Sequence, residues 1–325
     1  MNKSILLILA AMALVACQSV SLPQAQPTLR RQAVTGHSSS LPLSRSLLQI
    51  LARPDEEEPS TDGAYSDSVA KSVFDPDYIH AHSYYFDYLS QGHSSIEIIL
   101  AHDGHARAAT LVQRWRKVLA EGAMWPDKHS TTYRGPFPAL EHGEIDGADN
   151  GWFLFRSASN KSEEYFQRAV SAWKPGLAPD DPGQSEAWAW LGRSSHLIQD
   201  LSVPFHTRPL VRPSQALFHN AYENSCANRF ADYMPGQNAN PYGVWSEGPY
   251  PATGSWGLYY PPGTGAGAIV SDVASQARPF YSLVNERENP GSGNWEMSRA
   301  VMVPLGAKST SGLVMAFLQK VGVNN

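Results

Sequence analysis

The sequence predicts an all-α protein, and three observations carry that reading. Two pairs of potential metal ligands, His196 with Asp200 and His219 with Glu223, stand four residues apart, the spacing that puts both members on one helical face. Apolar residues recur at helical intervals in several segments between Gly92 and the C-terminus. Proline and glycine punctuate those segments, Pro204 most clearly, where a helix has to stop.

The ligand pairs lie in one stretch, Trp190 to Glu223, and His206 falls between them just beyond Pro204, where a turn can swing it back. A lone HxxxD is ordinary and commonly means a capped or hydrogen-bonded helix. Two such pairs with a fifth ligand between them are not ordinary. Imidazole and carboxylate together suit zinc and its neighbours, and burying five such groups without a cation would cost roughly several kcal/mol for each left unpaired.

The order HxxxD, five residues, H, then HxxxE resembles that of the zinc-dependent phospholipase C family, whose wider superfamily includes zinc nucleases acting on single strands. The resemblance runs from about Gly92 to the C-terminus. It implies a single multi-helix domain with two to three zinc ions in a cleft. His196 and Asp200 match ligands of the first zinc, with Asp200 bridging to a neighbouring ion; His206, His219 and Glu223 match those of another. Asp127 in AMWPDKH and His142 in ALEHGEIDG resemble the Asp and His that complete the first site, and Asp127 resembles the general base. His93, opening the first core helix, resembles a ligand of a third zinc. In relatives an N-terminal Trp completes that third site, and here the pattern breaks: Tyr88 stands at roughly that place and is internal. His80, His82 or Asp87 could substitute.

At the N-terminus, Lys3, the apolar run Ile5 to Val15 and the ending LVAC read as a signal peptide over residues 1–17 that resembles a bacterial lipobox. The implied product is lipidated at Cys17 and anchored in the cell envelope. Gln18 after the cysteine favours the outer membrane. An ordinary cleaved signal and secretion is the other reading. Cys226 is the only other cysteine, so lipidation leaves no intramolecular disulfide. Residues 18–72, rich in Ser, Pro, Gln and Arg and then acidic at DEEEPSTDG, read as a low-complexity tether. The catalytic domain is expected over 73–325, roughly 250 residues, which one helical domain can absorb.

Within that domain, GHSSIEIILA starts a helix with Ile96, Ile99 and Leu100 on one face. His102 and His105 flank a helix junction and read as structural. Ala108 to Ala120 is amphipathic through Leu111, Trp115, Val118 and Leu119, and Gly122 is expected to end it, leaving Asp127 on a loop. EYFQRAVSAWK is another helix. SEAWAWLGRSSHLIQDL, starting at Ser185, is the central one, with Trp188, Leu191, Ser195 and Ile198 toward the core and His196 and Asp200 toward the cleft. The aromatic Gly/Pro-rich loop 234–267 either forms a cleft rim that touches lipid or packs on its own domain. Two further helices, GAIVSDVASQARPFYSLV and SRAVMVPLGAKSTSGLVMAFLQKV, close the chain as core cover.

Composition fits a soluble globular enzyme: 42% hydrophobic, 17% charged, formal net charge −5. A nucleic-acid binder would show basic clustering, and the acidity argues against nucleic acid as a partner. The function expected is therefore hydrolysis of glycerophospholipids at phosphorus by metal-activated water, giving diacylglycerol and a phosphorylated head group, with phospholipid and a membrane surface as partners. No obligate protein partner is evident. In resemblance terms Glu223 favours the phospholipases, since the nucleases tend to carry Asp there. A zinc-dependent single-strand nuclease or nucleotidase is the alternative, and a non-catalytic zinc-stabilised envelope lipoprotein a second. Choline-preferring relatives carry aromatics directly after the first-site Asp and three residues before its His. Lys128 and Ala139 stand there, which points to ethanolamine lipids or a broad preference including choline lipids.

Overall fold

The computed structural model describes residues 82–129, 157–208, 213–237, 247–285 and 293–323. The expected signal, lipidation site and tether lie outside them, as do His80 and His142. Among the described residues there is no strand, only two isolated bridges.

In chain order the helices are α1 (Tyr84–Asp87), α2 (Ser95–His102), α3 (Ala106–His129), α4 (Ala158–Ala172), α5 (Ser185–Leu201), α6 (Pro213–Asn228), α7 (Ala266–Ala277), α8 (Tyr281–Val284) and α9 (Gly293–Lys320). α5 is the axis: it packs most extensively against α3 and α4, with α9 and α7 also against it. The expected core positions Trp188, Leu191, Ser195 and Ile198 are buried, and so are His196 and Asp200 on the opposite register. Every side of the last two turns of α5 is therefore enclosed.

The packing on α5 follows from small residues at two crossings. Toward α4, Ser162 and Ser194 exchange bonds: each hydroxyl donates to the other's carbonyl at 3.0 Å. Toward α3 the backbones meet at Gly122 and Gly192. A Cβ at Gly192 would stand 2.5 Å from the Leu119 carbonyl oxygen, and one at Gly122 would stand 2.5 Å from that of Ala189. Gly122 was expected to end its helix. Instead α3 runs on through it to His129, because the glycine serves as the contact point with α5 rather than as a C-cap. Pro126 lies inside the last turns of α3, so AMWPDKH is helical and Asp127 sits on a helix rather than on a loop.

α3 also carries positive charge that the net value hides. Arg107, Arg114 and Lys117 are exposed on it, and Arg116 reaches the Gly92 carbonyl at 3.4 Å. α9 is long and apolar enough to cross a membrane, but 94% of its most apolar window is buried inside the domain. Its apolarity is used as core.

The described part of the aromatic loop packs on its own domain. Asp103, between α2 and α3, accepts from the backbone N–H groups of Trp256 at 2.9 Å and Gly257 at 2.7 Å, and from the Tyr259 hydroxyl at 2.8 Å. His102 stacks on Trp256 with ring centroids 3.6 Å apart. His105 meets Tyr259 edge-on. Burial pushes the Asp103 carboxyl up, but the Trp256 and Gly257 N–H groups, with His102 and Tyr259, outweigh it and hold the group below the usual carboxylate range. Trp245 lies outside the described residues.

Two predictions follow from this packing. Gly192→Ala should lower stability by about 1–3 kcal/mol, since the added methyl meets backbone on α3; a denaturant titration checks it, and an unchanged midpoint would refute the close crossing. Asp103→Asn should speed hydrogen exchange at the Trp256 and Gly257 amides. A depressed carboxyl contributes fully above its unfolded value and loses its contribution as pH falls through the folded value, so acidification below about pH 4 should loosen the same amides in the parent protein.

Candidate metal centre

The site is built at the C-terminal end of α5 and on the chain that leaves it. One helical turn separates His196 from Asp200, and His196 Nε2 lies 3.0 Å from Asp200 Oδ2. His196 Nδ1 lies 2.7 Å from the Ala123 carbonyl oxygen on α3. A carbonyl can only accept, so Nδ1 carries the proton and Nε2 turns its lone pair toward Asp200. The close crossing at Gly122 and Gly192 is what brings that carbonyl within reach.

After Leu201 the helix ends and Pro204 opens a short 3-10 turn, Pro204–Thr207. The turn folds His206 back so that its Nε2 stands 3.8 Å from Asp200 Oδ1 and 3.2 Å from Glu223 Oε1. On α6 the i, i+4 pair closes the group: His219 Nε2 is 2.9 Å from Glu223 Oε1 and 2.7 Å from His206 Nε2. His206 and Glu223 are buried and His219 is nearly so. Burial lowers the His206 pKa, against the opposing pull of Asp200. Burial alone would raise that of Glu223, but His219 and His206 hold its carboxyl well below the usual range.

The structure brings five of the expected residues together around Asp200: His196, Asp200, His206, His219 and Glu223. It adds one that the sequence named only among several substitutes. His82, buried just before α1, places Nε2 3.2 Å from Asp200 Oδ1, with its ring centroid 4.2 Å from that of His196. Two candidate ligand groups result, His82 with His196 and Asp200, and His206 with His219 and Glu223; the ligand atoms of each lie within 4.8 Å of one another. Their chemistry fits zinc: imidazole nitrogens and carboxylate oxygens aimed at one point and enclosed by protein. Like lone pairs crowded this closely need a cation or shared protons between them. A cavity of about 30 Å³, room for a water, is lined by His82 from one group, Glu223 from the other, and Gln199 beside them.

His93 is not in either group. Its Nδ1 lies 3.1 Å from Glu97 Oε2, its side chain is 55% exposed, and Glu97 is held by Ser94 in a capping arrangement at the start of α2. The near partner of His93 is the i, i+4 carboxylate of Glu97. Asp87 is exposed at the end of α1. Asp127 lies in the last turns of α3, and its side chain is outside the described residues, as is all of His142. The turn bearing Asp127 is braced by Arg193 of α5, whose guanidinium lies 3.8 Å from the ring centroid of Trp125 and 4.0 Å from that of Trp190. Cys226 is a free, buried thiol beside Glu223, and burial pushes its pKa up to about 12.

The family described as "Zinc dependent phospholipase C" matches residues 92–255, just over half of the chain. No curated protein matches. Among solved structures, the alpha-toxin of Clostridium perfringens isolated from an avian strain is similar at 17% identity and a TM-score of 0.47, over 79% of this chain and 64% of that one. The alpha toxin from Clostridium absonum is similar at 16% identity and a TM-score of 0.49, over 83% of this chain and 68% of that one. The chain thus spans less than two thirds of the length of the first of these toxins. The matched segment contains both helical ligand pairs and the turn between them, and the chain belongs to the zinc-dependent phospholipase C family.

Proposed function

We propose that the protein is a phosphoric diester hydrolase that cleaves glycerophospholipids in the manner of a phospholipase C. The observation that carries this reading is the pair of ligand groups joined at Asp200 in a chain of this family. The residues proposed to hold zinc are those expected from the sequence, His196, Asp200, His206, His219 and Glu223, with Asp127, His142 and His93 as expected additional ligands. Zinc there supplies Lewis acidity, which makes a water acidic near neutral pH and offsets charge on a phosphodiester.

The chain's own residues do the rest. Asp200 keeps the two groups at a fixed separation through three histidines. Ala123 fixes the tautomer of His196. Asp127, on a turn clamped by the Trp125, Arg193 and Trp190 stack, is the residue proposed to take the proton from the attacking water. Water adds to phosphorus, the bond to the glycerol oxygen breaks, and diacylglycerol leaves with the proton while the phosphate stays on the head group. Lys128 and Ala139 offer no aromatic cage, so phosphatidylethanolamine should be cleaved at least as well as phosphatidylcholine. The lipidated Cys17 expected from LVAC would keep the enzyme at the cell envelope, beside its substrate.

Purified protein should release phosphorylated head group from phosphatidylethanolamine and phosphatidylcholine, and a zinc chelator should abolish the release. Cleavage of single-stranded DNA instead would move the protein to the nuclease branch, for which exposed Arg107, Arg114 and Lys117 would be relevant. Asp127→Asn should reduce kcat by roughly 100-fold or more with zinc retained; full activity in that variant would remove it from the role of base.

A further inference from the structure

We infer that His82, oriented by Gln199, is a metal ligand supplied from the interior of the chain, completing a site with one oxygen of Asp200. The inference rests on the zinc-dependent reading above, and three observations support it. His82 is buried and faces Asp200 Oδ1 at 3.2 Å, whereas His196 faces the other oxygen, Oδ2, at 3.0 Å. The carboxylate is thus approached on its two oxygens by different imidazoles, as a ligand shared between two ions would be.

Second, His82 is oriented as a ligand is. Its Nδ1 lies 3.2 Å from Gln199 Oε1. The amide oxygen accepts, so the Nδ1 proton is held there and the Nε2 lone pair points at Asp200. His196 is held the same way by the Ala123 carbonyl, so two neighbouring histidines present the same nitrogen through the same device.

Third, Gln199 is buried at a cost. Its Nε2 is enclosed and has no hydrogen-bond partner among the described residues, a loss of about 1–3 kcal/mol for a buried donor. Among the described residues the amide has one polar contact, to His82. A leucine would fill that position on α5 without an orphaned donor, so the use of the glutamine is the orientation of the imidazole.

The consequence is that this site needs no free N-terminus. Eighty-one residues precede His82 in the sequence, and neither His82 nor Asp200 needs any of them removed to face the other. Metal loading should therefore be independent of signal cleavage and of lipidation at Cys17.

The test is zinc content per chain, with helical circular dichroism on the same samples. The parent protein, His82→Ala, Gln199→Leu and Gln199→Glu should all keep their helical signal. His82→Ala should hold one equivalent of zinc less than the parent. Gln199→Leu should weaken zinc binding at one site by about 10–100-fold, leaving the others unchanged, and Gln199→Glu, which keeps an accepting oxygen, should restore it. Unchanged zinc content and affinity in His82→Ala and Gln199→Leu would overturn the inference while leaving the hydrolase reading intact. Loss of zinc as predicted, in a parent protein that cleaves no phospholipid, would support the ligand and sink the hydrolase.

Discussion

One buried carboxylate organises this protein. Asp200 sits at the enclosed end of the central helix, and three imidazoles from three places in the chain converge on it: His82 from before α1, His196 from one turn back on α5, and His206 from the turn beyond Pro204. A single carboxylate in a protein interior cannot satisfy three histidines without either shared protons or cations. Enclosure raises the cost of any charge left uncompensated, and positive ions are what the arrangement is suited to receive. The rest of the fold can be understood as what holds that point still.

The supports are small and specific. Gly122 and Gly192 let α3 and α5 approach until a backbone carbonyl can orient His196. The serine exchange with α4 fixes the other flank of α5. Arg193 between two tryptophans ties the end of α3 to the same helix. α9, buried along most of its length, is spent as a core rod. Asp103 and its contacts pin the aromatic loop at the junction of α2 and α3, so the described aromatics of that loop stabilise the scaffold rather than extend from it.

Much of this was legible in the sequence, because the informative features are local. The i, i+4 spacing of His196 with Asp200 and of His219 with Glu223 dictates a shared face on any α-helix, and Pro204 dictates where the first helix must end. The start of α5 at Ser185 follows from the same kind of signal. What was not legible is non-local. Gly122 reads as a helix stop until α5 lies against it. His93 reads as a ligand, and that its imidazole meets Glu97, four residues on, is visible only in the fold. His82 lies 118 positions before Asp200, and no spacing rule links them. Gln199 is one more polar residue on a helix until its oxygen is seen against His82. Positive charge on α3 is dispersed among apolar core positions at helical spacing, so the sequence shows no basic run there.

The claim on which the account depends is that Asp200 is shared between metal groups. X-ray diffraction from crystals of the purified protein, with anomalous data on either side of the zinc absorption edge, tests it most directly. The account predicts anomalous peaks on both oxygens of Asp200, with His82 and His196 among the ligands, and a peak bounded by His206, His219 and Glu223. Absence of zinc from Asp200, with the three imidazoles hydrogen-bonded to it instead, would contradict the account at its centre.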